Sequence, residues 1–309
     1  MRVLVLGGSG FIGGAAARRL RDRGAEVFTF HRGEGADVRG DRAELGQHRE
    51  GFARLAPDVV VDAIAYSEAD AADLVATLRG AAGRTVVLSS QDVYAPYGRL
   101  LGLETGVPDM APSTEVSPLR TGRFPYRSKA SGQRDMAWSY EKILVEEAAA
   151  SDPTLPATIL RLPCVYGPGD RHHRVGQVLA RLERGGPYVL GRVQASWRWT
   201  RGHVENVAEA IALAVVEPRA SGRVYNVGEE PALPEREWVR SIAKAAGLEA
   251  DILEVEPGEL PAELAEPFDF AHDLVADTRR IREELGYREV VALEEGLRAS
   301  VAWESASAA

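Results

Sequence analysis

Apolar residues are grouped along the chain in short unbroken runs. Residues 2–6 (RVLVL), 27–30, 59–63 within PDVVVDAIA, 85–88 and 157–160 read as strands. A continuous apolar run of this length, without alternation, is what a strand covered on both faces requires. Segments with helical spacing separate these runs, among them 11–23, closed by Gly24, and 69–78. Strand and helix in alternation predict a parallel sheet with helices on both faces. From Gly167 onward the pattern changes to a helix over 175–184, a short strand near Tyr188 and a helix over 204–216, followed by GRVYNVG. The C-terminal part mixes helices over 235–246, 278–285 and 293–303 with acidic, Pro-rich connections around 256–267. No internal repeat is present. The stretch 95–136 carries five prolines and reads as an irregular border of a functional site, and the tail 305–309 is expected to be disordered.

The first strand runs directly into Gly7-Gly8-Ser9-Gly10-Phe11-Ile12-Gly13 and then a helix. Glycine at 7 permits a tight turn, glycine at 10 lets backbone approach a pyrophosphate, and glycine at 13 lets the helix lie close on the strand. An anion would then rest on the helix N-terminus. Strand, glycines and helix fall where a dinucleotide-binding corner needs them, so a ligand-free Gly-rich turn is the weaker reading.

Composition narrows the picture further. With 309 residues and 45% hydrophobic content, the chain can bury a large core. A net charge of -9 with both signs interspersed argues against nucleic acid as the primary partner and leaves a small molecule. The single cysteine, Cys164, precludes an internal disulfide and fits a reducing compartment. No apolar run approaches a membrane span and no signal-peptide pattern precedes the first strand, which together point to the cytoplasm. A homodimer is compatible with all of this.

Several motifs, in order, make the sequence resemble the short-chain dehydrogenase/reductase superfamily, and within it the extended, epimerase/dehydratase-like branch. They are GGSGFIG at 7–13, LSSQDVY at 88–94, KILVEE at 142–147, LRLPCVYGPGD at 160–170, HVENVAEAI at 203–211, GRVYNVG at 222–228 and DTRRIREELGY at 277–287. The resemblance implies an α/β fold: a Rossmann-type doubly wound parallel sheet with a smaller mixed α/β C-terminal substrate lobe. Residues 1–166 plus about 203–228 would form the dinucleotide-binding domain, and 167–202 plus 229–309 the substrate lobe.

Cofactor choice is read at the end of the second strand, where an NAD enzyme places an acid on the ribose 2′-hydroxyl. Here that strand ends Phe30-His31-Arg32-Gly33. No carboxylate stands there, and Arg32 suits a 2′-phosphate through a bidentate, charge-assisted contact. The expectation is NADP, with NAD as the alternative and a solvated Arg32 as the competing reading. Beyond Gly7, Gly10, Phe11, Ile12 and Gly13, the resemblance implies six further contact residues. Asp41 would face the adenine, Ala63 and Ala65 would line the dinucleotide, Lys142 would grip the nicotinamide ribose, and backbone at Pro163 and Val165 would meet the nicotinamide amide. Cys164 between them reads as a small packed residue.

Family chemistry uses a serine or threonine, a tyrosine and a lysine. The tyrosine acts as acid or base with its pKa lowered by the lysine ammonium, while the hydroxyl residue orients the substrate oxygen. Ser90 fills the first slot. Lys142, one of only three lysines beside Lys129 and Lys244, fills the last. The slot four residues before Lys142 holds Trp138, and the nearest phenol is Tyr140. On an uninterrupted helix Tyr140 and Lys142 would point about 200° apart, with Tyr140 joining the Leu144 and Ala148 stripe. Catalytic use of Ser90, Tyr140 and Lys142 together therefore requires a helix start or bend between 140 and 142. Without one, Asp92 or Tyr126 would have to serve as the acid.

Other polar residues carry less. Asp92 occupies one of the two positions where sugar-nucleotide dehydratases have consecutive acids, but it reads better as a surface residue. His172 and His173 lack further ligands at metal spacing and read as a solvated loop, so no metal is expected. Arg198, Arg201 and His203 flank Trp199, which stands in the slot where relatives hold a nucleotide-sugar diphosphate with arginine. That mismatch argues against a UDP-sugar, and Trp197 and Trp199 suit an apolar or aromatic substrate or simple packing. The expected function is NAD(P)-dependent hydride transfer at a carbinol or carbonyl carbon. The rival is a non-catalytic dinucleotide-binding protein, regulatory or RNA-binding, whose active site has degenerated.

Overall fold

The computed structural model describes residues 1–109, 111–256 and 258–308. Strand β1 (Arg2–Leu6) leads into helix α1 (Phe11–Asp22), then β2 (Glu26–His31), β3 (Val38–Arg39), α2 (Arg49–Leu55), β4 (Val59–Asp62), α3 (Glu68–Leu78), β5 (Arg84–Ser90) and α4 (Ala95–Leu100). Two short helices, α5 (Met136–Ser139) and α6 (Lys142–Ala149), precede β6 (Ala157–Leu162) and β7 (Cys164–Tyr166). There follow α7 (Arg174–Glu183), β8 (Tyr188–Gly191), α8 (Arg192–Ser196), β9 (Arg201–His203), α9 (Val204–Val216) and β10 (Val224–Asn226). The chain closes with α10 (Glu235–Ala246), β11 (Ile252–Val255), α11 (Arg279–Leu285) and α12 (Leu293–Ala308). Among the described residues, no helix is long and apolar enough to cross a membrane.

Seven strands form one parallel sheet in the order β10-β6-β5-β4-β1-β2-β3. Strand order reverses between β1 and β4, so their carboxyl ends, at Leu6 and Asp62, border the crevice where doubly wound sheets take ligands. One face packs under α1, α9 and α11, where Ala15, Ala16 and Ala17 meet Ala208, Ala212 and Val215. Small residues on both helices permit this close approach. The other face is covered by α2, α3 and α6 through Phe52, Leu74, Leu78 and Val145. A separate apolar cluster holds β8 to α7, α10 and α12 through Val178, Tyr188, Leu190, Trp238, Ile242 and Leu297, with β8 and β11 paired in parallel.

The apolar runs locate the five central strands to within two residues at either end. Two expectations are corrected. The stretch 95–136 opens with a helix, α4, because Pro96 in its first turn presets the backbone. The tail expected to be disordered continues α12 through Ala308, while Ala309 lies outside the described residues. Its last turns are held by His173, whose ring stacks on Trp303 at 5.4 Å and places Nδ1 2.7 Å from Glu304.

Candidate active site

At the crevice, Gly7 adopts φ +84°, and a Cβ there would lie 2.5 Å from Ile64 Cγ2. A Cβ on Gly13 would lie 2.3 Å from the Gly7 carbonyl oxygen, so α1 sits against the turn at a distance only glycine allows. Gly10 is the N-cap of α1 without a side-chain cap, and the first turn carries no acid. The positive end of the helix dipole therefore faces the crevice unopposed, which fits a pyrophosphate.

Beyond β5 a cavity of about 490 Å³ opens. Its wall is largely aromatic and apolar, including Tyr66, Tyr94, Tyr97, Tyr126, Tyr140, Leu162, Trp199 and Leu274, and Ser90 and Asp92 lie within it. Ser90 ends the strand, and its Oγ accepts the Asp92 backbone N–H at 3.1 Å. Asp92, only 4% exposed, stands among phenols. Tyr140 Oη donates to Asp92 Oδ2 at 2.8 Å, Tyr126 Oη donates to the same oxygen at 3.2 Å, and the Tyr97 and Tyr126 hydroxyls are 2.7 Å apart. Tyr66 is fixed beside them by the Ser67/Asp70 capping box of α3, whose Asp70 carboxylate also accepts the Tyr66 N–H at 2.9 Å.

The helix is broken between Tyr140 and Lys142. Tyr140 ends α5 with φ -58° and ψ 117°. Glu141, extended at φ -159° and ψ 95°, then caps α6 through the Ile143 N–H. Each side chain thus points independently of the 100° helical step. Glu141 is held in place by Arg120, a side chain as fully buried as its own, through paired contacts of 2.7 and 2.9 Å. Arg120 Nε also donates to the Asp92 carbonyl at 2.8 Å, so one guanidinium fixes both the break and the carboxyl turn. Lys142 Nζ donates to the carbonyls of Ala65 and Leu88 at 2.6 and 2.8 Å, and lies 4.9 Å from the Tyr66 ring centroid. Burial pushes its ammonium down to about 8.

The sequence profile described as the NAD dependent epimerase/dehydratase family matches residues 3–228. The chain belongs to this family. It is 31% identical over 297 residues to a 2'-dehydrokanamycin reductase of Streptomyces kanamyceticus, covering 91% of this chain and 75% of the relative. It is 28% identical over 264 residues to a 2-alkyl-3-oxoalkanoate reductase of Stenotrophomonas maltophilia, covering 80% of this chain and 76% of the relative. In fold it resembles a UDP-glucose-4-epimerase of Stenotrophomonas maltophila with bound NAD and formylated UDP-arabinopyranose. That match has a TM-score of 0.74 at 18% identity and covers 100% of this chain and 99% of that one. The protein is thus an NAD(P)-dependent enzyme of the extended short-chain dehydrogenase/reductase type, which sets aside the reading as a degenerate binding protein.

Within this epimerase/dehydratase frame Ser90 and Tyr140 line the cavity, and Lys142 lies behind its wall, buried, with Nζ 6.0 Å from the Tyr140 ring centroid, while Trp138 is turned elsewhere, with Arg127 5.1 Å above its ring. Two expectations about the chemistry are overturned. Asp92 is not a surface residue, because the turn after Ser90 folds it back under Tyr126 and Tyr140. Tyr140 is not made more acidic: burial first, then the Asp92 charge, raise its phenol well above the ordinary range. Ala65 is buried beside Lys142, and Ala63 N–H bonds the Leu6 carbonyl at 3.1 Å. Phe11 and Ile12 pack on the core beneath α1. Arg32 is 81% exposed, 3.5 Å from Asp41, whose other oxygen accepts the Ala43 N–H. Pro163 and Cys164 line the cavity, whereas the Val165 side chain is buried in the core behind them.

Of the residues flanking Trp199, Arg201 is committed to an ion pair with Glu235 and lies 4.3 Å from the Trp238 ring centroid. His203 is buried as the cap of α9, and Arg198 is exposed. None of the three reaches the cavity, but Arg174 does, paired to buried Asp170 at 2.8 Å. His172 is exposed at the cavity edge, and burial pushes the Cys164 thiol up. Sequence reasoning did not anticipate Tyr66, Tyr97, Arg120 or Arg174 at the site. The available signal was the density of tyrosines flanking a polar turn at the carboxyl end of a buried strand.

Proposed function

We propose that this enzyme transfers hydride at a carbinol or carbonyl carbon of a small, largely apolar molecule, with NADP(H) as the preferred cofactor and Ser90, Tyr140 and Lys142 as its catalytic residues. The observation that carries this is the break at Glu141, which lets Tyr140 line the cavity beside Ser90 while Lys142 opens the next helix with its ammonium 6.0 Å from the Tyr140 ring centroid. When bound, the nicotinamide supplies or accepts the hydride. Ser90 orients the substrate oxygen and Tyr140 exchanges a proton with it. Lys142 holds the nicotinamide ribose. The corner formed by Gly7, Gly10, Phe11, Ile12 and Gly13 takes the pyrophosphate, with Asp41, Ala63, Ala65, Pro163 and Val165 along the rest of the dinucleotide. Segments 1–166 and 203–228 serve the dinucleotide, and 167–202 with 229–309 complete the substrate side. Both relatives named above are reductases, which supports carbonyl reduction as the working direction. The acidic balance and the single buried cysteine support a small-molecule partner and a reducing, cytoplasmic setting.

Cofactor preference rests on Arg32, which is free to swing toward a 2′-phosphate because its one ionic contact is exposed and long. Arg32→Ala is expected to shift the ratio of NADP to NAD dissociation constants toward NAD by about tenfold, the value of one charge-assisted contact. An unchanged ratio refutes the assignment.

The aromatic wall, with Trp199 in the diphosphate slot and Arg201 committed to Glu235, supports an apolar substrate over a nucleotide-sugar. Calorimetry with UDP-hexose and dTDP-hexose on the cofactor-loaded enzyme is expected to show no saturable binding. Tight binding of either would overturn the apolar-substrate assignment.

A further inference from the structure

Tyr140 raises a difficulty that its neighbours resolve. A phenol that donates to a buried carboxylate holds its proton more firmly, so a lysine alone does not prepare it to take one from a substrate. The carboxyl it touches is placed with unusual rigidity. Asp92 is fixed by Ser90 Oγ at its N–H and by Arg120 Nε at its carbonyl. Its Oδ2 accepts Tyr140 and Tyr126, while Oδ1 is buried with no partner among the described residues. Burying a carboxylate with one oxygen unpaired is costly, and protonation at Oδ2 lowers that cost by removing the charge; the Asp92 hydroxyl then donates to Tyr140, which is left free to donate to the substrate.

We propose that Asp92 is the proton partner of Tyr140, the two forming one acid–base couple in which the phenol meets the substrate oxygen and the carboxyl supplies or stores the proton. This rests on the hydride-transfer reading above. In the reducing direction the carbonyl carbon gains a hydride from the reduced cofactor, and its oxygen forms a bond to the Tyr140 proton. The Tyr140 O–H is remade with the proton of the Asp92 carboxyl, which is left as carboxylate. Water restores that proton through Tyr126 and Tyr97, both half-buried and joined by their hydroxyls. Oxidation of a carbinol runs the same transfers in reverse.

Burial holds the Asp92 carboxyl above the usual carboxylate range, against the opposing charges of Arg120 and Lys142 and the donated hydrogen bonds of Tyr140 and Tyr126. A group raised in this way stays protonated at higher pH than an ordinary aspartate and loses its proton as pH rises through its own pKa. Reduction should therefore fall on that alkaline limb, and oxidation should fall as pH drops through it.

The test needs no natural substrate. Infrared difference spectra of protein carrying carboxyl-labelled aspartate, titrated with pH, are expected to show a protonated carboxyl persisting above the usual aspartate range. That band should be absent in Asp92→Asn and should titrate at higher pH in Tyr140→Phe, where the carboxylate loses a donor. No such band, or a titration unmoved by Tyr140→Phe, overturns the couple. In a second arm, NADPH-driven reduction of 1-phenylpropane-1,2-dione by the holoenzyme should lose its alkaline limb in Asp92→Asn. There kcat should fall by about two powers of ten, with KM little changed. A limb retained in Asp92→Asn also overturns the couple. If the unaltered enzyme binds NADPH but does not reduce the dione, the failure lies with the hydride-transfer reading for that probe, and the infrared result alone judges Asp92.

Discussion

Tyr140→Phe is expected to lower turnover by about two to four powers of ten, the usual range for losing a general acid or base, while leaving cofactor affinity unchanged. No other phenol takes its place. Tyr126 shares the Asp92 carboxyl, but its hydroxyl also lies 2.7 Å from that of Tyr97 on its far side. Trp138, which holds the position relatives give to tyrosine, has no titrating group and lies under Arg127 outside the cavity. Only the aromatic ring survives in the phenylalanine variant, so stacking on Tyr66 and packing on Tyr126 persist and folding should be unaffected. Steady-state kinetics beside a fluorescence titration of NADPH separates the two effects. Turnover within about threefold of the unaltered enzyme would remove Tyr140 from the proton step.

The second large effect is structural. Glu141→Ala leaves Arg120 fully buried with no counter-charge and should destabilise the fold by about 3–5 kcal/mol, the cost of stripping one partner from a buried pair. The loss extends beyond the ion pair, because Glu141 also accepts the Phe124 N–H at 2.7 Å and the Ile143 N–H at 3.1 Å. Without it the first turn of α6 loses its cap and the 120–124 turn loses its anchor. Equilibrium urea unfolding should show a lower midpoint with an unchanged slope, whereas an exposed acid such as Glu147, replaced in the same way, should shift it by less than about 0.5 kcal/mol. Equal effects at both positions would show that the buried pair does not hold the break.

The sheet was legible in the sequence because a strand buried on both faces must be apolar at every position, and runs such as VLVL and VVV satisfy that without reference to the rest of the chain. The glycine corner was legible for the same local reason: turn, backbone approach and helix packing are all set within residues 7–13. The acid–base region was only half legible. Tyr140 and Lys142, two apart, conflict on any straight helix, and the conflict is resolved by Arg120, twenty-one positions before Glu141. Such a partner leaves no periodic trace. Asp92 read as a surface residue because a lone acid in a polar turn carries no signal of burial. Its place became visible only when Tyr126 and Tyr140, from separate segments, were seen to converge on it. The C-terminal tail failed in the opposite way: its small and polar composition suggested disorder, but contacts of His173 with Trp303 and Glu304 extend the helix.

The most direct measurement of the proposed chemistry is a crystal structure of the enzyme with NADP bound. The expected result places the pyrophosphate on the Gly7–Gly13 turn, Lys142 on the nicotinamide ribose, and Ser90 Oγ and Tyr140 Oη together on the same side of the nicotinamide ring. A complex with Trp138 toward the nicotinamide and Tyr140 withdrawn onto the Leu144 face would contradict it.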